Sequence, residues 1–180
     1  HPPYQGGGIW AIDANRNVSV VAGVKTSGTQ DGVGMEAGFD DPWQMVTTSQ
    51  GDAYVLDVLS SGPRGAPRSP VRKIDSLGKV ESLPASAIQP VRLAMSQSDR
   101  LVVADSQGNI LDFFGGEVWG SGAGHVLAMA LDSQNNVYFT TREQPSVIYK
   151  LAKGQARSVV VGRESATSAG IELGALPGAL

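Results

Sequence analysis

The 180-residue chain contains no cysteine. That excludes disulfides, thiolate chemistry and any zinc or iron–sulfur site built on Cys. It leaves the compartment unspecified, because a domain of this size buries enough surface to stand without bridges. Only two histidines occur, His1 and His125, so a metal centre made of several imidazoles is excluded as well. Charged residues are 17% of the chain and the net charge is −3, a balance with no pull toward nucleic acid or an anionic membrane. No apolar run approaches the roughly 20 residues that span a bilayer, and His1-Pro2-Pro3-Tyr4 carries no signal-peptide core. No segment sustains a helical period, since Gly and Pro interrupt each candidate.

Glycine and proline are the abundant residues, 23 and 10 of them, and they suit many short strands joined by tight turns. Three stretches repeat one pattern: Met45 to Asp57, Leu93 to Asp105 and Ala130 to Thr141. Each is an apolar strand, a polar turn holding Ser-Gln, and a second apolar strand. The Ser-Gln pairs begin at Ser49, Ser96 and Ser133, spacings of 47 and 37 residues. A further strand pair follows each stretch, around Ser76-Leu77-Gly78, Gly115-Gly116 and Lys153-Gly154, and one precedes them around Ala14-Asn15-Arg16. These β-branched and aromatic runs bounded by turn residues carry the hairpin signal. The third strands end at Asp13, Asp75, Asp112 and Leu151, spaced by 62, 37 and 39 residues, so four strands recur per unit of about 40 residues with one unit enlarged.

A four-stranded unit of that length predicts an all-β chain of propeller blades, each needing a neighbour to cover its faces. The expected division is a half blade at 1–23, complete blades at 39–83, 88–120 and 125–162, and a connection at 163–180 into a next blade. Pro177-Gly178-Ala179-Leu180 resembles Pro42-Trp43-Gln44-Met45, the opening of a first strand. About three and a half four-stranded antiparallel blades make a partial ring, which further blades or another chain must complete.

At these residues the chain resembles the NHL-repeat β-propellers. Val20-Val21-Ala22-Gly23 matches their final strand, Asp31-Gly32-Val33-Gly34 their glycine-rich acidic loop, and Phe39-Asp40-Asp41-Pro42 their blade entry. Tyr54-Val55-Leu56-Asp57 and Val71-Arg72-Lys73-Ile74-Asp75 follow, and the next blade repeats the pattern with Gln89-Pro90 and Leu101-Val102-Val103-Ala104-Asp105. The likeness runs over about residues 9 to 180. It departs at Gln44 and Arg92, where a Gly is usual, at Leu127 for the entry Pro, at Thr141 for the strand-ending Asp, and in the long connection after Asp57. The resemblance implies a binding platform; some six-bladed relatives of the general fold are lactonases or lyases with a metal on the channel axis.

Each candidate site has a structural alternative. Asp57 and Asp105 end equivalent strands and either hold a cation such as Ca²⁺ or cap the following turn. The acidic loop Asp31, Glu36, Asp40 and Asp41 lacks EF-hand spacing and reads as a solvated connection. The stretch Gly62 to Lys73 sets Arg64, Arg68, Arg72 and Lys73 among Gly and Pro, which predicts an extended arm for an acidic partner or, alternatively, a tolerated insertion. Trp10, Trp43 and Trp119 either fill the space between blades or stack on a ligand, and Trp43, after Pro42, is the one expected at the surface. A Ser-His-Asp triad would need His125, and no Gly-x-Ser-x-Gly elbow exists. The glycine clusters at 32–34 and 120–124 lack a following helix and are turns.

The reading therefore names no catalytic residue, metal or cofactor. It expects a non-catalytic module that uses its loops, with Trp43, Arg64, Arg68, Arg72 and Lys73 as binding residues, to recognise a protein or other macromolecule. A metal-dependent lactonase or lyase with part of its site in other blades, and a structural or adhesion module, are the alternatives.

Overall fold

A computed structural model describes residues 7–23, 28–59, 70–84 and 88–164. Fifteen strands and one short 3₁₀ turn, Gly34–Glu36, make up the regular structure among them. The strands form four antiparallel sheets and fall into two compact units, residues 1–90 and 91–180.

In the first unit β1 (Gly8–Ile12) and β2 (Val18–Gly23) make a two-stranded sheet. β3 (Gly32–Val33), β4 (Pro42–Thr47), β5 (Ala53–Asp57), β6 (Val71–Ile74) and β7 (Lys79–Ser82) make the second, in the order β3-β7-β6-β5-β4. The strand β3 lies in a stretch expected to be loop. Gly32 pairs with Val80 and Val33 with Lys79, and the Gly34 N–H donates to the Gly78 carbonyl at 2.9 Å. Two residues of pairing are too short for periodicity to announce. Ala22, Ala37, Phe39, Val55, Ile74 and Val80 form the core that joins the two sheets. Gly23 closes β2 at φ +85°, and a Cβ there would lie 2.5 Å from the Gly7 carbonyl oxygen, so glycine is the residue this close approach admits.

The second unit holds two four-stranded sheets. One runs β11-β10-β9-β8 and the other β12-β13-β14-β15. Their strands are β8 (Pro90–Met95), β9 (Leu101–Asp105), β10 (Ile110–Asp112), β11 (Val118–Gly120), β12 (Val126–Leu131), β13 (Val137–Thr141), β14 (Ile148–Leu151) and β15 (Ser158–Val161). Both sheets put alternate residues into one core: Val102, Ala104, Ile110 and Trp119 from the first, Val126, Val137, Phe139, Tyr149 and Leu151 from the second. Phe139 and Tyr149 stack with ring centroids 5.4 Å apart. Along β13 the alternation is strict, with Val137, Phe139 and Thr141 buried and Tyr138 and Thr140 partly open, the pattern of a sheet covered on one face. The all-β architecture of antiparallel sheets expected from the repeat is present, with four strands in each sheet of the second unit and with β3 added to the four strands β4 to β7 in the first.

Beneath β6 lies a buried charge cluster. Arg72 and Asp57 are both fully buried, and the guanidinium reaches the Asp57 carboxylate at 3.4 Å. It also donates to the carbonyls of Gly38 and Gln30 at 3.0 Å each, pairs with Asp31 at 3.0 Å, and lies 5.1 Å above the Phe39 ring. Asp57 accepts the backbone N–H groups of Asp40 (3.1 Å) and Asp41 (2.9 Å). Burial pushes the Asp57 carboxyl up from the ordinary aspartate range, opposed by those two N–H donors and by Arg72.

Removing Arg72 leaves a buried carboxylate uncompensated, a change that costs about 3–5 kcal/mol. Arg72→Met is expected to lose stability of that order in urea unfolding at neutral pH. An aspartate with a raised folded pKa is favoured in the folded state when protonated, so its contribution is lost as pH rises through the folded value. The deficit of Arg72→Met is therefore smaller near pH 4 than at pH 7. An equal deficit at both would show that lost packing, not the stranded charge, is the cause.

Candidate functional site

The sequence placed four cations on one protruding arm, and two of them, Arg72 and Lys73, lie in the described strand β6. Arg64 and Arg68 lie outside the described residues. Arg72 is a correction: its guanidinium is inside the first unit, engaged by Asp31, Asp57 and two carbonyls, because β6 turns that side chain toward the loop before β4 rather than to water. Lys73, on the opposite face of the same strand, is partly buried and pairs with Asp52 at 2.7 Å. Trp43 is exposed, at 61% of its surface, and Trp10 at 48%, whereas Trp119 is buried in the second unit.

Trp43 and Trp10 line a common cleft in the first unit. Gly8, Ile9 and Trp10 of β1 form one wall, Pro42, Trp43, Gln44 and Met45 of β4 the other, with Val55 of β5 also lining it, and the cleft holds about 320 Å³. β4 alternates half-buried and exposed residues, so Trp43 and Met45 project on its open face.

The strand-ending carboxylates are not arranged for a cation. Asp57 holds the loop that enters β4, as described above. Asp105 accepts the N–H groups of Gln107 (2.9 Å) and Asn109 (2.8 Å) and the Asn109 side-chain amide (2.8 Å), an Asx turn in which the carboxylate closes its own hairpin. Asp31 accepts from Arg72, from the Ser82 N–H and from the Ser82 hydroxyl, so the acidic loop is tied into the sheet. Among the described residues no three His, Cys, Asp or Glu side chains converge as metal ligands.

At the third position, where β13 ends in Thr141, the carboxylate comes from two residues further on. Glu143 accepts the backbone N–H of His125 with both oxygens, at 3.1 and 3.2 Å, just before β12 begins. Gly124 makes room for it: φ is +81° and a Cβ there would lie 2.9 Å from a Glu143 oxygen. Arg157 fastens the same glycine loop, donating to the carbonyls of Gly122 (3.0 Å) and Ala123 (3.1 Å), with its guanidinium 4.4 Å from the Tyr149 ring centroid. The Glu143 carboxyl is held below the ordinary glutamate range, first by its own backbone N–H, then by that of His125 and by the charge of the nearby imidazole, with loss of hydration opposing. His125 carries the one imidazole among the described residues. The carboxylate thus fixes the backbone of a partly exposed histidine at the entry of β12, and imidazole is a side chain that transfers protons near neutral pH. The sequence offered His125 as a member of a triad or of a histidine-based metal site; Glu143, in the Arg142-Glu143-Gln144 turn, gave no signal of its own.

No family model matches the chain, and no curated protein matches it. Among solved structures it is similar to a catalytically inactive His-to-Ala variant of virginiamycin B lyase from Staphylococcus aureus with quinupristin. The identity is 12% and the TM-score 0.56, over 92% of this chain and 51% of that chain. It also overlaps a protein described as a gluconolactonase, at 11% identity and a TM-score of 0.42, over 83% of this chain and 79% of that one; an overlap that loose bears no weight. The first likeness shows the fold alone, a partial β-propeller, and the chain spans about half the length of the lyase.

The Glu143 bond makes a pH-dependent device. A carboxyl whose folded pKa is depressed contributes stability above its unfolded pKa, about 4.3 for Glu, and loses it as pH falls through the folded value. The His125 amide is therefore expected to exchange slowly with solvent deuterium at neutral pH and to lose that protection faster than the β12 amides as the solution is acidified. Glu143→Ala should remove the protection at neutral pH. Unchanged exchange at His125 in that variant would refute the bond.

Proposed function

We propose that the chain is part of an NHL-type β-propeller enzyme of the lyase or lactonase class, with the rest of its site contributed by further blades or another chain. The observation that supports this most is the juxtaposition of the His125 residue and the Glu143 carboxylate at the start of β12. A neutral imidazole is the side chain best matched to taking up a proton near neutral pH. In a lyase it would remove the proton on the carbon next to the carbonyl while the ring C–O bond breaks. In a lactonase it would take the proton of the attacking water. In both, the Glu143 carboxylate, bonded to the His125 backbone N–H, fixes the loop that carries the imidazole. The similar lyase is described as inactive when a histidine is replaced by alanine, which supports looking to an imidazole here.

The second reading is a non-catalytic module that recognises a macromolecule. The exposure of Trp43 favours it, and the basic stretch with Arg64 and Arg68 would extend its surface.

The test is incubation with quinupristin and with simple γ- and δ-lactones, followed by mass spectrometry. An elimination gives a ring-opened product of unchanged mass, and hydrolysis gives one heavier by a water. Ring opening by the wild-type protein, slowed by about 100-fold or more in His125→Ala, is the expected result. Turnover in His125→Ala at the wild-type rate, or no ring-opened product once the chain is assayed together with the blades that complete its ring, would reject the enzyme reading and leave the recognition module.

A further inference from the structure

The cleft between β1 and β4 has a composition that selects its occupant. Its side chains are two indoles, Trp10 and Trp43, the Pro42 ring, Ile9, Met45 and Val55, with one amide, Gln44. No lining residue carries a charge or titrates between pH 2 and 12. Both indoles are largely exposed, although a Trp buries more apolar area than almost any other side chain when it is covered. Pro42 pairs with Asp57 and Gln44 with Leu56, so Trp43 is the extra residue of a bulge between them, and the bulge re-aims its indole into the cleft. At about 320 Å³ the space matches the small end of ligand sites.

We infer that this cleft binds an uncharged small molecule that presents an apolar ring to Trp43 and Trp10. The absence of charge decides against the other chemistries. An anion or cation entering it would give up water with no opposite charge to meet it. A saccharide stacks well on indole but brings a set of hydroxyls, and Gln44 is the one polar side chain that lines the walls. A flat, neutral ring system gives up little hydration and gains the stacking and burial contribution of two indoles. A ligand held here needs neither His125 nor Glu143, which belong to the second unit, so the site stands whether or not the protein is an enzyme.

Two dyes that share one ring system test the assignment: neutral N-phenyl-1-naphthylamine and anionic 8-anilinonaphthalene-1-sulfonate. The neutral dye is expected to bind with one-to-one stoichiometry and to quench tryptophan emission. The sulfonate should bind at least about tenfold more weakly. Affinity for the neutral dye should not change between about 50 and 500 mM salt, since no ion pair is screened. Trp43→Ala and Trp10→Ala should each weaken it by about tenfold, and Trp43→Phe should restore most of the loss. Trp43 is exposed, so circular dichroism should show both Trp43 variants folded. Equal affinity for the two dyes, or neutral-dye binding that survives both alanine variants, would overturn the assignment and place the dye on another apolar face. A scattering mass of two chains that falls to one in Trp43→Ala would overturn it too, by making the cleft a contact between copies.

Discussion

A blade-entry loop must cross from the last strand of one sheet to the first strand of the next, and its backbone N–H groups have no ladder to join. Everything else in these sheets rests on how those groups are satisfied. In the first unit Asp57 supplies the acceptor, and Arg72 answers its charge while holding the loop's carbonyls at Gly38 and Gln30. The loop is thereby fixed from both its donors and its acceptors, by two side chains that point inward from neighbouring strands. The apolar residues around it, Phe39 and Val55 among them, fill the space the network defines.

The same requirement is met differently in the second unit. Asp105 occupies the position of Asp57 but folds back on its own hairpin through Gln107 and Asn109. Thr141 occupies it next, and its place as a clamp is taken by Glu143, whose carboxylate holds the loop at His125 while Arg157 holds the carbonyls before it. An acidic acceptor on the N–H groups and an arginine on the carbonyls recur in the first and last blades with no shared sequence position. A repeat can thus keep its architecture while the residues that secure it migrate along the chain.

This economy bears on where chemistry can reside. Charges on the strands and entry loops are largely spent on structure: Arg72 is interior, Asp31 caps β7, Lys73 pairs with Asp52. Among the described residues, two open features bear on function. One is the imidazole of His125, carried on a loop that Glu143 and Arg157 immobilise. The other is the uncharged aromatic cleft of β1 and β4. Loops on a rigid scaffold commonly carry function, and here the scaffold's own clamps decide which side chains remain available.

Local pattern alone specified much of this. Alternation of apolar and polar residues, with Gly, Asn and Asp at the turns, marked the strand pairs from Ile9 to Val161, and their recurrence marked the blade, because strand period and turn chemistry are properties of neighbours in sequence. The exposure of Trp43 followed from its place after Pro42 in the same way. The two-residue strand β3, the burial of Arg72 and the handing of the clamp from Thr141 to Glu143 did not follow. Arg72 looked like one more cation in a basic stretch, and only the pairing of β6 with β5 shows that it faces Asp57, fifteen residues away. The charge of a side chain is written in the sequence. Whether that charge meets water or a buried carboxylate depends on which strands lie side by side, and that is settled by the packing of the sheets.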